Sequence, residues 1–124
     1  MPAQQPADVN RLIAEAISTG DREAALALYE PEAAFVPQPG QVVRGSEGIA
    51  TALDAFLALK PTLEIRVSEV IEAGGIALLR STWTLTGTGP DGRPLQMGGS
   101  ATDVVRRQGD GTWRYVIDQP WGAT

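Results

Sequence analysis

The chain of 124 residues contains no cysteine and no histidine, and these absences exclude much chemistry. Without cysteine there can be no disulfide, thiolate nucleophile or sulfur-ligated metal. Without histidine, the commonest general base near neutral pH and the commonest metal ligand are missing. No metal and no cofactor is therefore expected, and no glycine-rich nucleotide loop is found. Positive charge is in the minority, with 10 Lys and Arg against 15 Asp and Glu and a net charge of −5. The only adjacent basic pair is Arg106-Arg107, too little to track a phosphate backbone, so nucleic acid is not an expected partner. No apolar run reaches the roughly 18 residues of a membrane span, and the start MPAQQPADVN lacks the charged and apolar regions of a secretory signal. A cytoplasmic protein without membrane contact is the expectation.

What is present suits one compact domain, with 43% hydrophobic residues. Residues 1–7 read as a disordered polar, Pro-containing tail, and residues 8–124 as a single domain. Asp8 is placed as the cap of a helix whose apolar positions Val9, Leu12, Ile13, Ala16 and Ile17 follow helical spacing, ended by Gly20. Asp21 caps a second, short helix with Ala25, Leu28 and Tyr29 on one face, stopped by Pro31. Ala33 to Val36 reads as a brief strand and PQPGQ as a loop. Ser46 is the expected cap of a third helix, which turns Ile49, Ala52, Leu53, Phe56 and Leu57 inward and closes at Pro61.

From Thr62 the apolar period changes from 3.6 to 2, with Leu63, Ile65 and Val67 alternating with Glu64, Arg66 and Ser68. Gly74-Gly75 turns the chain into a strand carrying Ala77, Leu79, Ser81, Trp83 and Leu85 on one face. The segment GTGPDG turns it again into Pro94–Arg107, and the last strand runs from about Thr112 to Asp118. Gly98-Gly99, inside that third long strand, suggests a bulge or kink. The sum is an α+β domain, three N-terminal helices packed on a curved antiparallel sheet that closes over a pocket.

The segments "AISTGDREAALALYEPEAAFVPQPGQVVRGSEGIATAL" and "TDVVRRQGDGTWRYVIDQPW", joined by the meander, resemble the nuclear transport factor 2-like superfamily over nearly the whole chain. The pattern is most similar to its small SnoaL-like or ketosteroid-isomerase-like bacterial proteins. The resemblance implies a cone-shaped, cystatin-like α+β barrel with an apolar pocket, usually a homodimer through the outer sheet face. It does not imply one activity, because members isomerise, cyclise, dehydrate, hydrolyse or merely bind. Of the isomerase template, only one residue is matched. Pro37 stands where the loop carboxylate base belongs, with Gln38 beside it, and Ile13 stands near the helix-one tyrosine. Asp103 matches the aspartic acid that stays protonated and donates to substrate oxygen. Authentic ketosteroid isomerisation is therefore not expected.

Whether Asp103 and Asp118 can act together depends on the hairpin around Gly109-Asp110-Gly111. A two-residue turn puts them directly opposite, a four-residue loop leaves them diagonal on one face, and a three-residue loop puts them on opposite faces. Two orientations of the last strand also stand open. In one, Trp113, Tyr115 and Ile117 are core and Asp118 is a solvated carboxylate beside Arg114. The resemblance implies the reverse, with Asp103 and Asp118 toward the cavity and Trp113, Tyr115 and Ile117 at a subunit interface. If both carboxylates share the pocket, one should hold its proton and the pair would supply an acid and a base.

Phe35, Phe56, Trp83, Met97 and Trp121 are the candidate ligand-binding residues, with Gln38 at the mouth. The reading that follows is a pocket protein for a small apolar molecule of carbonyl, aromatic or polyketide-like type. The alternatives are a cofactor-independent isomerase, cyclase or dehydratase using Asp103 and Asp118, and a noncatalytic dimerisation module.

Overall fold

The computed structural model describes residues 3–122. In chain order the elements are α1 (Pro6–Thr19), α2 (Arg22–Leu26), β1 (Tyr29–Gln38), β2 (Gln41–Arg44), α3 (Gly45–Leu57), β3 (Thr62–Ala73), β4 (Ile76–Thr88), β5 (Pro94–Arg107) and β6 (Trp113–Asp118). One six-stranded sheet has the order β2-β1-β6-β5-β4-β3. It is antiparallel except between β1 and β6, which run parallel. The sheet is thus mixed rather than purely antiparallel, and the α+β class stands. Among the described residues no helix is long and apolar enough to cross a membrane.

The N-terminal expectations shift by small, explicable amounts. Helix α1 begins at Pro6, whose missing N–H costs nothing in a first turn. Gln5 is the N-cap, and Asp8 caps from inside the helix, its Oδ2 accepting the Gln4 and Gln5 N–H groups at 3.1 Å. Ala3 is buried and its carbonyl accepts the Trp113 N–H at 3.1 Å, so the expected disordered tail is in part a structured lead-in. Met1 and Pro2 lie outside the described residues.

Tyr29 opens β1 rather than closing α2. The Leu28 carbonyl accepts the Tyr115 N–H at 2.7 Å, and this link to β6 draws the chain out of the helix before Pro31. The expected loop PQPGQ is a hairpin turn into β2, with Gly40 at φ 82°. Ser46 does not cap α3, because the helix starts a residue earlier at Gly45; its hydroxyl reaches instead to the Pro31 carbonyl at 3.5 Å.

The core lies between the helices and one face of the sheet. Val9, Ile13, Ala16 and Ile17 of α1 and Ile49 and Leu53 of α3 meet Leu79, Val105, Trp113 and Tyr115 of the sheet. Trp83, Leu85 and Ala101 form a second cluster toward the end where Trp121 packs. Curvature comes from places other than Gly98-Gly99. Pairing of β4 with β5 is unbroken from Ile76↔Arg106 to Thr88↔Pro94, so there is no bulge at those glycines. One extra residue sits instead at Ser68, between Val67↔Ser81 and Glu69↔Arg80, and another in β6.

The glycines serve close approach. A Cβ on Gly98 would stand 2.8 Å from the Trp83 carbonyl oxygen, and one on Gly99 would crowd the Trp83 and Trp121 rings. Gly98→Ala is therefore expected to cost roughly 1–3 kcal/mol in urea denaturation, since a strand carbonyl cannot move aside cheaply. Gly109→Ala, with nothing within 4 Å of the new Cβ, serves as the near-neutral comparison. Equal stability of the two variants would refute the packing argument.

Candidate active-site pocket

The β5–β6 hairpin decides what its two aspartates do. Gly111 donates to the Gln108 carbonyl at 3.0 Å and has φ 85°, while Gln108 donates to the Thr112 carbonyl at 2.6 Å. This is a three-residue loop, 109–111, with a left-handed glycine at its end. Carried along two regular strands, that register would put Asp103 and Asp118 on opposite faces. It is not carried along. Arg107↔Trp113, Arg106↔Arg114 and Val105↔Tyr115 are followed by Val104↔Ile117, so Val116 is the extra residue of a β-bulge. Beyond it the strand has changed face. One pair further, Asp103 stands opposite Asp118, and the Thr102 N–H donates to the Gln119 carbonyl at 3.0 Å in the same new register.

The bulge also resolves the two orientations of β6, and neither holds along the whole strand. Trp113 and Tyr115 face the helices at 4% and 1% exposure, so they are core and not part of an outer patch. Past Val116, Ile117 points outward at 42% exposure and Asp118 points inward to line the cavity. Of the three residues expected on the outer face, only Ile117 is there.

The cavity lies between α1, α3 and the inner sheet face and offers about 80 Å³ of space, several times what one water needs. Its wall is largely apolar, including Ile13, Ile17, Leu53, Phe56, Leu63 and Ile65. Four expected ligand residues, Phe35, Phe56, Trp83 and Trp121, are in the wall. Gln38 is exposed at the end of β1, and Met97 packs beside Leu85 on the second core cluster; neither is part of the wall. Pro37, which the resemblance sets at the place of the isomerase base, does line the cavity, and its ring cannot take a proton. The two indoles are fixed, with Trp83 Nε1 donating to the Pro120 carbonyl at 2.7 Å and Trp121 Nε1 to the Pro37 carbonyl at 3.2 Å. Their rings meet edge to face with centroids 5.1 Å apart.

One end of the cavity is polar. Asp103, 2% exposed, accepts the Gln119 N–H on Oδ1 at 2.9 Å and is hydrogen-bonded to Asp118. Burial, then the nearby Asp118 charge and the bond to Asp118, hold the Asp103 carboxyl well above the ordinary carboxylate range. Burial also raises Asp118, but bonds donated by Asp103 and Tyr29 oppose the rise. Both carboxyls are raised and face each other, so they titrate as a pair that keeps a proton to higher pH than two free carboxyls would. The Tyr29 hydroxyl donates to Asp118 Oδ2 at 2.5 Å, and the Tyr115 hydroxyl donates to Asn10 Oδ1. Burial holds both phenols well above their ordinary value, so they remain donors.

Asn10, Tyr29 and Tyr115 were not candidates from the sequence. Asn10 carried a signal, since it interrupts the apolar stripe of α1 one turn before Ile13. It is 1% exposed, its Oδ1 accepts the Tyr115 hydroxyl, and its amide lies beside the Asp103 carboxyl. The sequence puts Tyr29 on a face of the second helix and leaves Tyr115 either in the core or at a subunit interface, because the pairing that gathers them is distant in sequence.

Chemically, the polar end supplies two facing carboxyls and two phenols beside an apolar chamber. Among the described residues no Lys or Arg lines the wall. Among the described residues no group of three or more His, Cys, Asp and Glu is placed to hold a metal ion.

A family model described as a SnoaL-like domain matches residues 9–116. Among solved structures, the chain is similar to a nuclear transport factor 2-like superfamily protein from Salmonella enterica, with TM-score 0.78, 20% identity, and 94% of this chain and 89% of the other covered. A ketosteroid isomerase-like protein from Erwinia carotovora gives TM-score 0.79, 17% identity and coverage of 90% and 88%. A conserved protein from Planctomyces limnophilus gives TM-score 0.80, 21% identity and coverage of 90% and 88%. At such identities the likeness concerns the fold alone. No curated protein matches the chain.

Proposed function

The chain belongs to the SnoaL-like domain family of nuclear transport factor 2-like proteins, and from that premise we propose that it binds a small, largely apolar molecule in the cavity, with the molecule's polar group turned toward Asp103 and Asp118. The observation that carries this reading is the segregation of the cavity, with an apolar wall bearing two anchored indoles and polar groups gathered at one end. Such a chamber orients a ligand by its polar group and holds it by burial of its body. A thermal-shift screen of ketones, hydroxy acids and polyketide-like aromatics, followed by NMR titration of the indole N–H signals of Trp83 and Trp121, tests it. At least one compound should move both indole signals. A screen in which none does would refute the binding role.

A second reading is favoured by the buried acid pair, two carboxyls side by side at the polar end of the cavity. Holding one proton between them, they can give a proton at one atom of a carbonyl compound and take one at another, without imidazole or metal. For any substrate so identified, Asp103→Asn is expected to lower turnover by roughly 10²-fold or more while leaving binding intact. Unchanged turnover would leave the binding role alone.

The homodimer expected through the outer sheet face is proposed on residues other than Trp113 and Tyr115. Ile71, Leu78, Val104 and Ile117 are successive cross-strand partners, forming an apolar row across four strands on the face away from the helices. Ile71 and Ile117 are 54% and 42% exposed. Sedimentation equilibrium should show a dimer for the native chain and a monomer for Ile117→Lys. A monomeric native chain at high micromolar concentration would end the proposal.

A further inference from the structure

The cavity wall is weakest where β6 stops short. Strands β1 and β5 flank β6 and both run on past it: the last β1–β6 pair is Phe35↔Asp118, while β5 continues through Ala101 and Gly99, paired with β4. A side chain rather than a strand fills the gap between them. Trp121 lies across it, its Nε1 donating to the Pro37 carbonyl of β1 at 3.2 Å and its ring packed over Gly99 of β5 and edge to face with Trp83 of β4. Among the described residues of the wall, Pro120 and Trp121 alone stand on no helix or strand.

These two residues are held differently. Pro120 is anchored, because its carbonyl accepts the Trp83 indole N–H at 2.7 Å and, one residue earlier, the Gln119 carbonyl accepts the Thr102 N–H at 3.0 Å. Trp121 follows both anchors, so its indole can turn outward about Pro120 by leaving Pro37 while the sheet ladder stays whole. A comparable shift of any helix or strand in the wall would break backbone hydrogen bonds. The volume requires some part to move for a ring. The chamber offers about 80 Å³, whereas an apolar cavity that takes up one benzene molecule has about 150 Å³. A bicyclic indole turned outward adds more than the room of one such ring.

We propose that Trp121 is a specificity-determining residue, a movable plug that bars ring-sized molecules while its indole bridges Pro37 and Gly99, and that yields its place to a flat, uncharged, single-ring ligand. The ligand is uncharged because the wall that it touches is apolar. This proposal rests on the binding role above and names both the size of the ligand and the part of the wall that gives way. Opening costs the bond to Pro37 and the edge-to-face contact with Trp83, and that cost is subtracted from the affinity of every ring-sized ligand.

Fluorobenzene, followed by fluorine NMR, tests it. Trp121→Ala should bind fluorobenzene about tenfold more tightly than the native chain, and Trp121→Phe, which keeps a ring but loses the bond to Pro37, should fall between them. An ordinary wall contact predicts the opposite order, since truncation would then remove contacts to the ligand. Because a truncated wall also gains room, the native chain supplies a second measurement. On saturation with fluorobenzene, solvent exchange of the Trp121 indole N–H should speed up several-fold, while that of Trp83, which anchors the hinge, should not. Equal or weaker binding by both variants, or a Trp121 N–H that stays protected while fluorobenzene is bound, would overturn the plug and leave the binding role standing. Equal acceleration at Trp83 would also overturn it, since the whole chain end would then be moving. Failure of fluorobenzene to bind the native chain would overturn the proposal, which requires the plug to yield to a ring; the broader screen then decides the binding role separately.

Discussion

Asp103→Ala should lower folding stability by about 3 kcal/mol, whereas Asp103→Asn should be neutral or stabilising near pH 7. Alanine leaves the Gln119 N–H without its acceptor and takes from Asp118 the donor that helps it bear a charge in the cavity. Asparagine keeps both bonds, with Oδ1 accepting from Gln119 and Nδ2 donating to Asp118, and it removes a group whose ionised form burial disfavours. The pH dependence follows with a definite sign. Both carboxyls have folded-state values raised above their unfolded ones, so between about pH 4 and the raised values the native state holds more protons than the unfolded state. The stability these groups contribute is therefore greatest below the unfolded value and is lost as pH rises through the folded one. One retained proton gives a slope of at most about 1.4 kcal/mol per pH unit. Urea denaturation across the acid to neutral range should show the difference between native chain and Asp103→Asn shifting in favour of the variant as pH rises. A difference independent of pH would show that the pair does not hold an extra proton.

Trp83→Ala should be at least as damaging, by about 3–5 kcal/mol, and should also lower affinity for any cavity ligand. Trp83 is 8% exposed, joins both core and cavity wall, and fastens Pro120 through its indole N–H. Removing it leaves Trp121 without its edge-to-face partner and uncouples the chain end from β4. Trp83→Phe refills much of the volume but not the hydrogen bond, so it should cost only about 1–2 kcal/mol. Denaturant midpoints of the three proteins check the order. An alanine variant no weaker than the phenylalanine variant would mean that the indole packs loosely and does not shape the cavity.

The difference between these two residues shows how much of the site was readable in advance. Trp83 was legible because β4 alternates strictly, so its face follows from its neighbours Leu79, Ser81 and Leu85. Phe35, Phe56 and Trp121 were likewise found as apolar candidates near element ends. Asp103 was identified through its resemblance to a family position, and the structure places it at the polar end of the cavity. Asp118 was readable only as a condition. Its side depends on Val116, and an apolar residue that suits either face leaves no mark in the pattern of alternation. Asn10, Tyr29 and Tyr115 come together from α1, β1 and β6, and the Tyr29–Asp118 and Tyr115–Asn10 hydrogen bonds span 89 and 105 residues.

By itself, then, the sequence determined the elements and the class of chemistry. Apolar spacing at 3.6 and then 2 places the helices and long strands, and the lack of cysteine and histidine removes thiol and imidazole from any acid–base work. Tertiary structure alone decided the faces of β6 and the strand partners. A parallel pairing of β1 with β6, a three-residue loop and a one-residue bulge each displace register by amounts invisible to local periodicity. Because side chains alternate with a period of two, a slip of one residue moves a carboxylate from solvent to cavity.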